Sequence, residues 1–353
     1  MNINNKVIVS PLDWGLGHAT RCIPIIKVLL QKGYQPIIAG TPETIALIQL
    51  EFKNLAFCTL PSYNIAYHTL LGSKRLYLLS QIFKLKKVIA TEHNILSNYC
   101  LKHNIKFIIS DNRYGIYLPN CRNVFITHQL KIATGFGKYA DAMLQKWHYR
   151  FLKPFSEIWI PDVLGSPNLS GNLSHTKLPK KPVHFIGALS RLSFTNNITK
   201  KYHFAFIASG PEPFKSIFIQ QAIQLVTNYN YPIIIVAGNM QQKKIQQKLP
   251  PHITFLQYAN AGQMQAIFNQ TTFIICRSGY SSIMDAAATQ AKCIMLPTPS
   301  QTEQLYLANY LGRQQLIKPI KNLNITLNEL YLKANNFNFK PWPVNLNKFT
   351  LPI

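Results

Sequence analysis

The chain reads as an α/β protein of two domains, each built on a parallel sheet. Three observations carry that reading. Short, uniformly apolar runs of buried-strand type recur along the sequence, and many are followed by a polar or glycine-bearing loop and a helical stretch. The opening strand–glycine loop–helix occurs twice, near residue 6 and again near residue 203. The length of 353 residues suits two domains of ordinary size, and 47% hydrophobic content is ample for their cores. The expected layout is a first domain over 1–190, a linker over 191–201 and a second domain over 202–325. A C-terminal segment over 326–353 then packs back across the first domain or frays.

Lys6 to Ser10 is the first strand. It runs into Asp13-Trp14-Gly15-Leu16-Gly17-His18, then a helix from about Ala19 to Lys32, then the strand Pro36 to Gly40. Loops at the C-terminal ends of parallel strands face the ligand crevice, which makes Asp13, Trp14, Gly15, Gly17 and His18 candidate site residues. The dinucleotide fingerprint fails because position 20 is Thr, and no G-K-[ST] is present, so a nicotinamide enzyme and a P-loop NTPase are set aside. Residues 72–90 read as a basic amphipathic helix with Leu78, Ile82, Leu85 and Ile89 on one face and Lys84 and Lys87 on the other. Such a helix either lies on an anionic bilayer or presents a solvated basic face. Phe107 to Ser110 and Val124 to Thr127 are further strands. They deliver Asp111, Asn112, Arg113, His128 and Gln129 to the same crevice as acceptor-side candidates. A helix over 138–153, strands at 157–160 and 184–187, and a polar loop over 165–182 between those strands complete the first half.

The second half opens on His203 to Ile207, then Ser209 and Gly210, then a helix over 216–228. Strands follow at Ile233 to Gly238, Ile253 to Phe255 and Thr272 to Cys276. Arg277-Ser278-Gly279-Tyr280-Ser281-Ser282 turns the last of these into a helix ending at Thr289. Cys293 to Leu296 is the next strand, and Gln301-Thr302-Glu303-Gln304 opens the next helix. Each such helix N-terminus offers free N–H groups and a positive dipole end to an anion. Asp285, one turn in, can accept bonds from sugar hydroxyls, and Glu303 and Gln304 sit at the following helix mouth. Turn geometry alone also favours small polar residues at strand ends, so the residues by themselves leave both readings open.

The run Arg277-Ser278-Gly279, a carboxylate six residues past the glycine, an Ala-rich helix, a strand ending in Pro, then Gln before a helix resembles the donor half of the family 28 glycosyltransferases. Gly15-Leu16-Gly17-His18 at the first strand–helix junction is similar to their N-terminal loop. The resemblance spans most of the chain and is sharp near 15–18 and 277–304. It implies the GT-B architecture, two Rossmann-like domains with parallel sheets facing across a cleft. It also implies inverting transfer of a hexose or N-acetylhexosamine from a UDP-sugar to an acceptor hydroxyl, in cell-envelope, polysaccharide or glycolipid synthesis. In that scheme His18 is the general base. Arg191, Ser209 and Gly210, with the helix opening at Tyr280, Ser281 and Ser282, face the departing diphosphate, and Arg277 and Gly279 belong to the same donor site. Tyr258 edges the base, Asp285 binds the ribose, and Glu303 and Gln304 select the sugar hydroxyls. Three features depart from the family pattern. Asp13 and Trp14 are extra, Pro211-Glu212-Pro213 replaces part of a Gly-Gly-Ser loop, and Thr127-His128-Gln129-Leu130 lacks the carboxylate of a His-Glu-Gln-Asn element. With five aspartates and no D-x-D, no metal is expected, and no cofactor beyond the UDP-sugar co-substrate.

The charge balance, 37 Lys and Arg against 12 Asp and Glu, gives a formal +25 that attracts polyanions. No nucleic-acid module signature is present, so nucleic acid is not an expected partner. The expected partners are a nucleotide-sugar donor, an acceptor that can be lipid-linked, and an anionic membrane face. A skewed composition accounts for the charge equally well. Six scattered cysteines without C-x-x-C suit the reduced thiols of a cytoplasmic protein. No apolar run reaches the ~18–20 residues of a spanning helix, so the expected location is cytoplasmic, with peripheral contact at the inner membrane face. Two rivals stay open: a UDP-sugar 2-epimerase of related architecture, and a non-catalytic nucleotide-sugar or polyanion-binding protein.

Overall fold

Residues 5–63, 74–132, 137–227, 229–238, 249–343 and 349–353 are described by a computed structural model of the chain. The first sheet holds β1 (Lys6–Pro11), β2 (Gln35–Gly40), β3 (Ala56–Thr59), β4 (Phe107–Asp111), β5 (Arg122–Ile126), β6 (Glu157–Ile160) and β7 (Val183–Phe185), in the order β3-β2-β1-β4-β5-β6-β7. The second holds β8 (Tyr202–Ile207), β9 (Ile233–Val236), β10 (Ile253–Leu256), β11 (Thr271–Arg277), β12 (Cys293–Leu296) and β13 (Ile317–Pro319), in the order β10-β9-β8-β11-β12-β13. Every neighbouring pair runs parallel. Both faces of such sheets are covered, which is why β1 is apolar without alternation: Val7 and Val9 pack with α1 (Leu16–Gln31), while Ile8 packs on the opposite side against Leu96 and Cys100.

In each sheet the strand order reverses once, between β1 and β4 and between β8 and β11. Consecutive helices leave to opposite faces at such a point, so the loops part and leave a crevice. The first reversal is flanked by the loop into α1 and by Asp111. The second is flanked by Ser209-Gly210 and by the start of α7 (Tyr280–Thr289).

The two domains share apolar core. One cluster runs from Cys22, Ile25 and Ile26 of α1, through Ala188 and Leu189 of the connector, to Ile283 and Met284 of α7. The chain's end returns across the first domain. Thr350 N–H donates to the Ile186 carbonyl at 3.0 Å, and Arg122 and Lys32 donate to the carbonyls of Pro352 and Ile353 at 2.5 and 2.6 Å.

Several elements differ from the sequence reading. α1 begins at Leu16, so His18 lies inside its first turn and does not precede it. α2 (Pro42–Gln49) was not read from the pattern, although Thr41 as N-cap with Pro at the first position is its start signal. β3 exposes most of its short length and carries little apolar pattern. The helix read over 72–90 belongs to α3 (Lys74–His103); residues 72 and 73 lie outside the described residues, as do the side chains of Leu78 and Ile82.

Candidate active site

The pairing of Pro11 with Asp111 sets the first half of the site. It brings the Asp111 carboxylate under the opening turn of α1, where His18 and Arg21, three residues apart, lie on one helical face. His18 Nδ1 hydrogen-bonds Asp111 Oδ2 at 3.0 Å, and Arg21 Nε donates to the same oxygen at 2.7 Å. Arg21 Nη2 also donates to Asp111 Oδ1. Burial pushes the Asp111 carboxyl up, but Arg21 and His18 outweigh it and hold it well below the usual carboxylate range. Burial, then the Arg21 charge, pushes the His18 imidazole below its ordinary value, so the ring is neutral at pH 7. With an anionic carboxylate on Nδ1, the proton sits there and Nε2 carries the lone pair. Among the described residues Nε2 has no hydrogen-bond partner.

The second half is the opening turn of α7. Gly279 is its N-cap, and Ser281 Oγ reaches across to donate to the Gly17 carbonyl of α1 at 3.1 Å. The two helix N-termini therefore meet. Gly17 is what lets them: a Cβ there would lie 2.7 Å from Ser281 Oγ. Tyr280 stacks on His128 with ring centroids 3.9 Å apart, 4° from parallel, and its hydroxyl donates to the Pro161 carbonyl at 2.9 Å. His128 Nε2 in turn bonds Glu303 Oε1 of α8 (Thr302–Arg313) at 2.8 Å, from one domain to the other. Burial pushes the Glu303 carboxyl up, and the neighbouring His128 outweighs it and holds the group below its ordinary value. Beside this pair lies a cavity of about 100 Å³ between the domains, lined by Gln129, Lys131, Asn172, Glu303 and Tyr306 among others.

Asp285 sits one turn further along α7. It is half-buried and accepts a 2.5 Å hydrogen bond from Ser190 Oγ in the connector. Burial pushes its carboxyl up to about 6. Three polar atoms at the C-terminal ends of β10, β11 and β12 are buried without a partner among the described residues: the Tyr258 hydroxyl, Arg277 Nε and Thr298 Oγ1. Such orphans are costly in a folded interior.

Residues 204–336 match the model of the glycosyltransferase family 28 C-terminal domain. The match spans most of the second domain. Solved structures similar to the whole chain show its fold. The glycotransferase of kitacinnamycin matches with a TM-score of 0.64 at 12% identity, over 94% of this chain and 90% of that one. The spinosyn rhamnosyltransferase SpnG, solved with thymidine diphosphate, matches at 0.60 and 13%, over 94% and 89%. MurG of Acinetobacter baumannii matches at 0.55 and 14%, over 94% and 90%. The two parallel-sheet domains are thus the GT-B architecture. A search of curated protein sequences finds no significant relative.

Not every residue singled out in the sequence faces the cleft between the two domains. Arg113 is fully buried, its guanidinium held by Glu92 and the Pro61 carbonyl. Arg277 spends Nη1 and Nη2 on the carbonyls of Pro297 and Phe214, at 3.1 and 3.4 Å. Arg191 lies in the connector 3.5 Å from Glu51, which also accepts from the first N–H of α6 (Ala261–Gln270). Gln304 Oε1 accepts from Thr298 N–H at 2.8 Å. Ser209 and Gly210 lead towards α5 (Phe214–Val226), whose N-terminal turn already holds the Glu212 carboxylate on Ser216 N–H at 3.1 Å. Asp13 takes Tyr63 N–H, Trp14 is 46% exposed, Gly15 caps α1 with φ +73°, and Asn112 adopts a left-handed φ of +59°. Gln129 lines the interdomain cavity.

Residues missed in the sequence include Arg21, legible only from its spacing to His18, and Ser190 and Glu51, which carry no local signal. Among the described residues no three His, Cys, Asp or Glu side chains converge as a metal-binding group, and no helix is long and apolar enough to cross a membrane.

Proposed function

We propose that the protein is an inverting glycosyltransferase that moves a hexose or N-acetylhexosamine from a UDP-sugar to an acceptor hydroxyl. One observation carries the proposal: helix N-termini from opposite domains touch at Ser281 and Gly17, directly beside the His18–Asp111 pair. Two positive dipole ends at one point suit a diphosphate, and a neutral imidazole next to it suits proton abstraction.

In the proposed step, His18 Nε2 takes the acceptor hydroxyl proton. The acceptor oxygen attacks the anomeric carbon from the face opposite the diphosphate. The bond from that carbon to the phosphate oxygen breaks, and UDP departs with the electron pair. Charge developing on the leaving oxygen meets the N–H groups of Tyr280, Ser281 and Ser282. Asp111 positions the imidazole and stabilises its protonated form. Preorganised donors of this kind contribute ~10²–10³ in rate each. In this scheme Asp285 exchanges its Ser190 bond for a ribose hydroxyl, and the unpartnered Tyr258 hydroxyl and Thr298 Oγ1 take contacts along the nucleotide. Arg191 reaches a diphosphate only by leaving Glu51. The charge is met by helix ends and basic side chains, so the reaction is proposed to need no metal.

A lipid-linked acceptor at an anionic membrane face fits the surface of α4 (Lys138–Leu152). Tyr139 and Met143 are 95% and 58% exposed, and Lys146 and Arg150 continue the same stripe. Lys86 lies 5.2 Å from the centroid of the Trp147 ring and ties α4 to α3. The test is heat protection by a panel of UDP-sugars, followed by an acceptor screen with lipid extracts. Protection by a UDP-sugar and label transfer into lipid are expected; protection by none of the panel would contradict the proposal.

A further inference from the structure

From the cross-domain geometry, and resting on the reading above that a sugar nucleotide occupies this cleft, we infer that His128 is a positioning residue for sugar selection. It fixes the Glu303 carboxylate from the opposite domain, so that the transferred sugar is read only when the cleft is closed.

Four observations carry this. Glu303 belongs to the second domain and His128 to the first, yet their side chains bond at 2.8 Å with the His128 side chain only 7% exposed. His128 cannot swing freely, because Tyr280 covers its face at 3.9 Å and Tyr280 is itself anchored to the Pro161 carbonyl. Only Oε1 of Glu303 is engaged, which leaves Oε2 without a hydrogen bond among the described residues, and Glu303 lines the cavity of about 100 Å³. His128 Nδ1 is buried without a partner among the described residues, a polar atom that lacks a hydrogen bond beside the pair.

A carboxylate on the first turn of a helix has several rotamers, and one that must accept a specific hydroxyl gains from being held in a single one. The holder here is supplied in trans. When the domains separate, Glu303 loses its imidazole and the cavity loses the wall made by Gln129, Lys131 and Asn172. Nucleotide binding at α7 does not need His128, whereas recognition of the sugar does.

The test uses the full chain and isothermal titration with UDP, UDP-glucose and UDP-N-acetylglucosamine on wild type, His128→Ala and His128→Gln. UDP should bind all three within about twofold. The extra affinity of the preferred UDP-sugar over UDP should fall by about 10- to 100-fold in His128→Ala, the loss typical of a hydrogen bond to a charged group. It should recover largely in His128→Gln, whose amide N–H can replace the imidazole donor. Equal weakening of UDP and UDP-sugar, or sugar discrimination untouched by His128→Ala, overturns this inference and leaves the transferase reading standing. Absence of UDP binding by the wild type overturns that reading and this inference with it.

Discussion

Asp285→Asn separates what the site does from what it costs. In the ligand-free protein the carboxyl is held at about 6, up from 3.8, because burial outweighs the hydrogen bond from Ser190. The folded state therefore retains a proton that the unfolded chain releases near pH 4. Stability from this group is complete below about pH 4, is lost as pH rises to about 6, and then stays flat. The full loss is on the order of 3 kcal/mol, and about 2 kcal/mol of it falls between pH 4.5 and 7.5. Asparagine keeps an oxygen for Ser190 Oγ and does not ionise. The variant should thus gain on wild type by about 4–8 °C in Tm between pH 4.5 and 7.5, at ~2–4 °C per kcal/mol for a domain of this size. The assay is paired thermal melts at the two pH values, with UDP titrations alongside. Nucleotide affinity should fall even as thermal stability rises. Parallel melting curves, with the same Tm difference at both pH values, would refute the argument that this carboxyl is held in place for a ligand.

Other outcomes follow from the same geometry. Asp111→Asn removes the partner of a buried guanidinium and of the imidazole proposed as base, so it should cost about 3–5 kcal/mol of stability, read by urea denaturation, as well as abolish turnover. Gly17→Ala places a Cβ 2.7 Å from Ser281 Oγ, so UDP-sugar affinity should drop while far-UV circular dichroism stays unchanged; unchanged affinity would mean the helix ends do not need to touch. Transfer activity should survive EDTA, and activity lost to EDTA and restored by Mn²⁺ would contradict charge neutralisation by helix ends.

Much of the fold is legible because parallel strands buried on both faces cannot hide: Val7-Ile8-Val9 and Phe273-Ile274-Ile275 have no periodicity to confuse with a helix. The ends of those strands are legible too, since the order of the sheet sends their loops to the crevice whatever the loops contain. Which residue of a loop faces the ligand is much less so. Arg113 and Arg277 sit at strand ends like Asp111 and Gly279, yet Arg113 Nε and Nη2 are taken up by Glu92 and the Pro61 carbonyl, and Arg277 Nη1 and Nη2 by backbone carbonyls from distant segments. Arg191 looks in sequence like a solvated linker charge or a diphosphate ligand. Its contact with Glu51, 140 residues away, fits neither description. The His128–Glu303 bond joins residues 175 apart and depends on how two domains lie, which no local pattern encodes.

The most direct test of the central claim is UDP release from the best-protecting UDP-sugar, with acceptor, by wild type and His18→Ala at equal nucleotide occupancy. The account predicts turnover lower by ~10²–10⁴ in the variant with UDP affinity preserved. Turnover within a few-fold of wild type would show that the imidazole beside Asp111 is not the base.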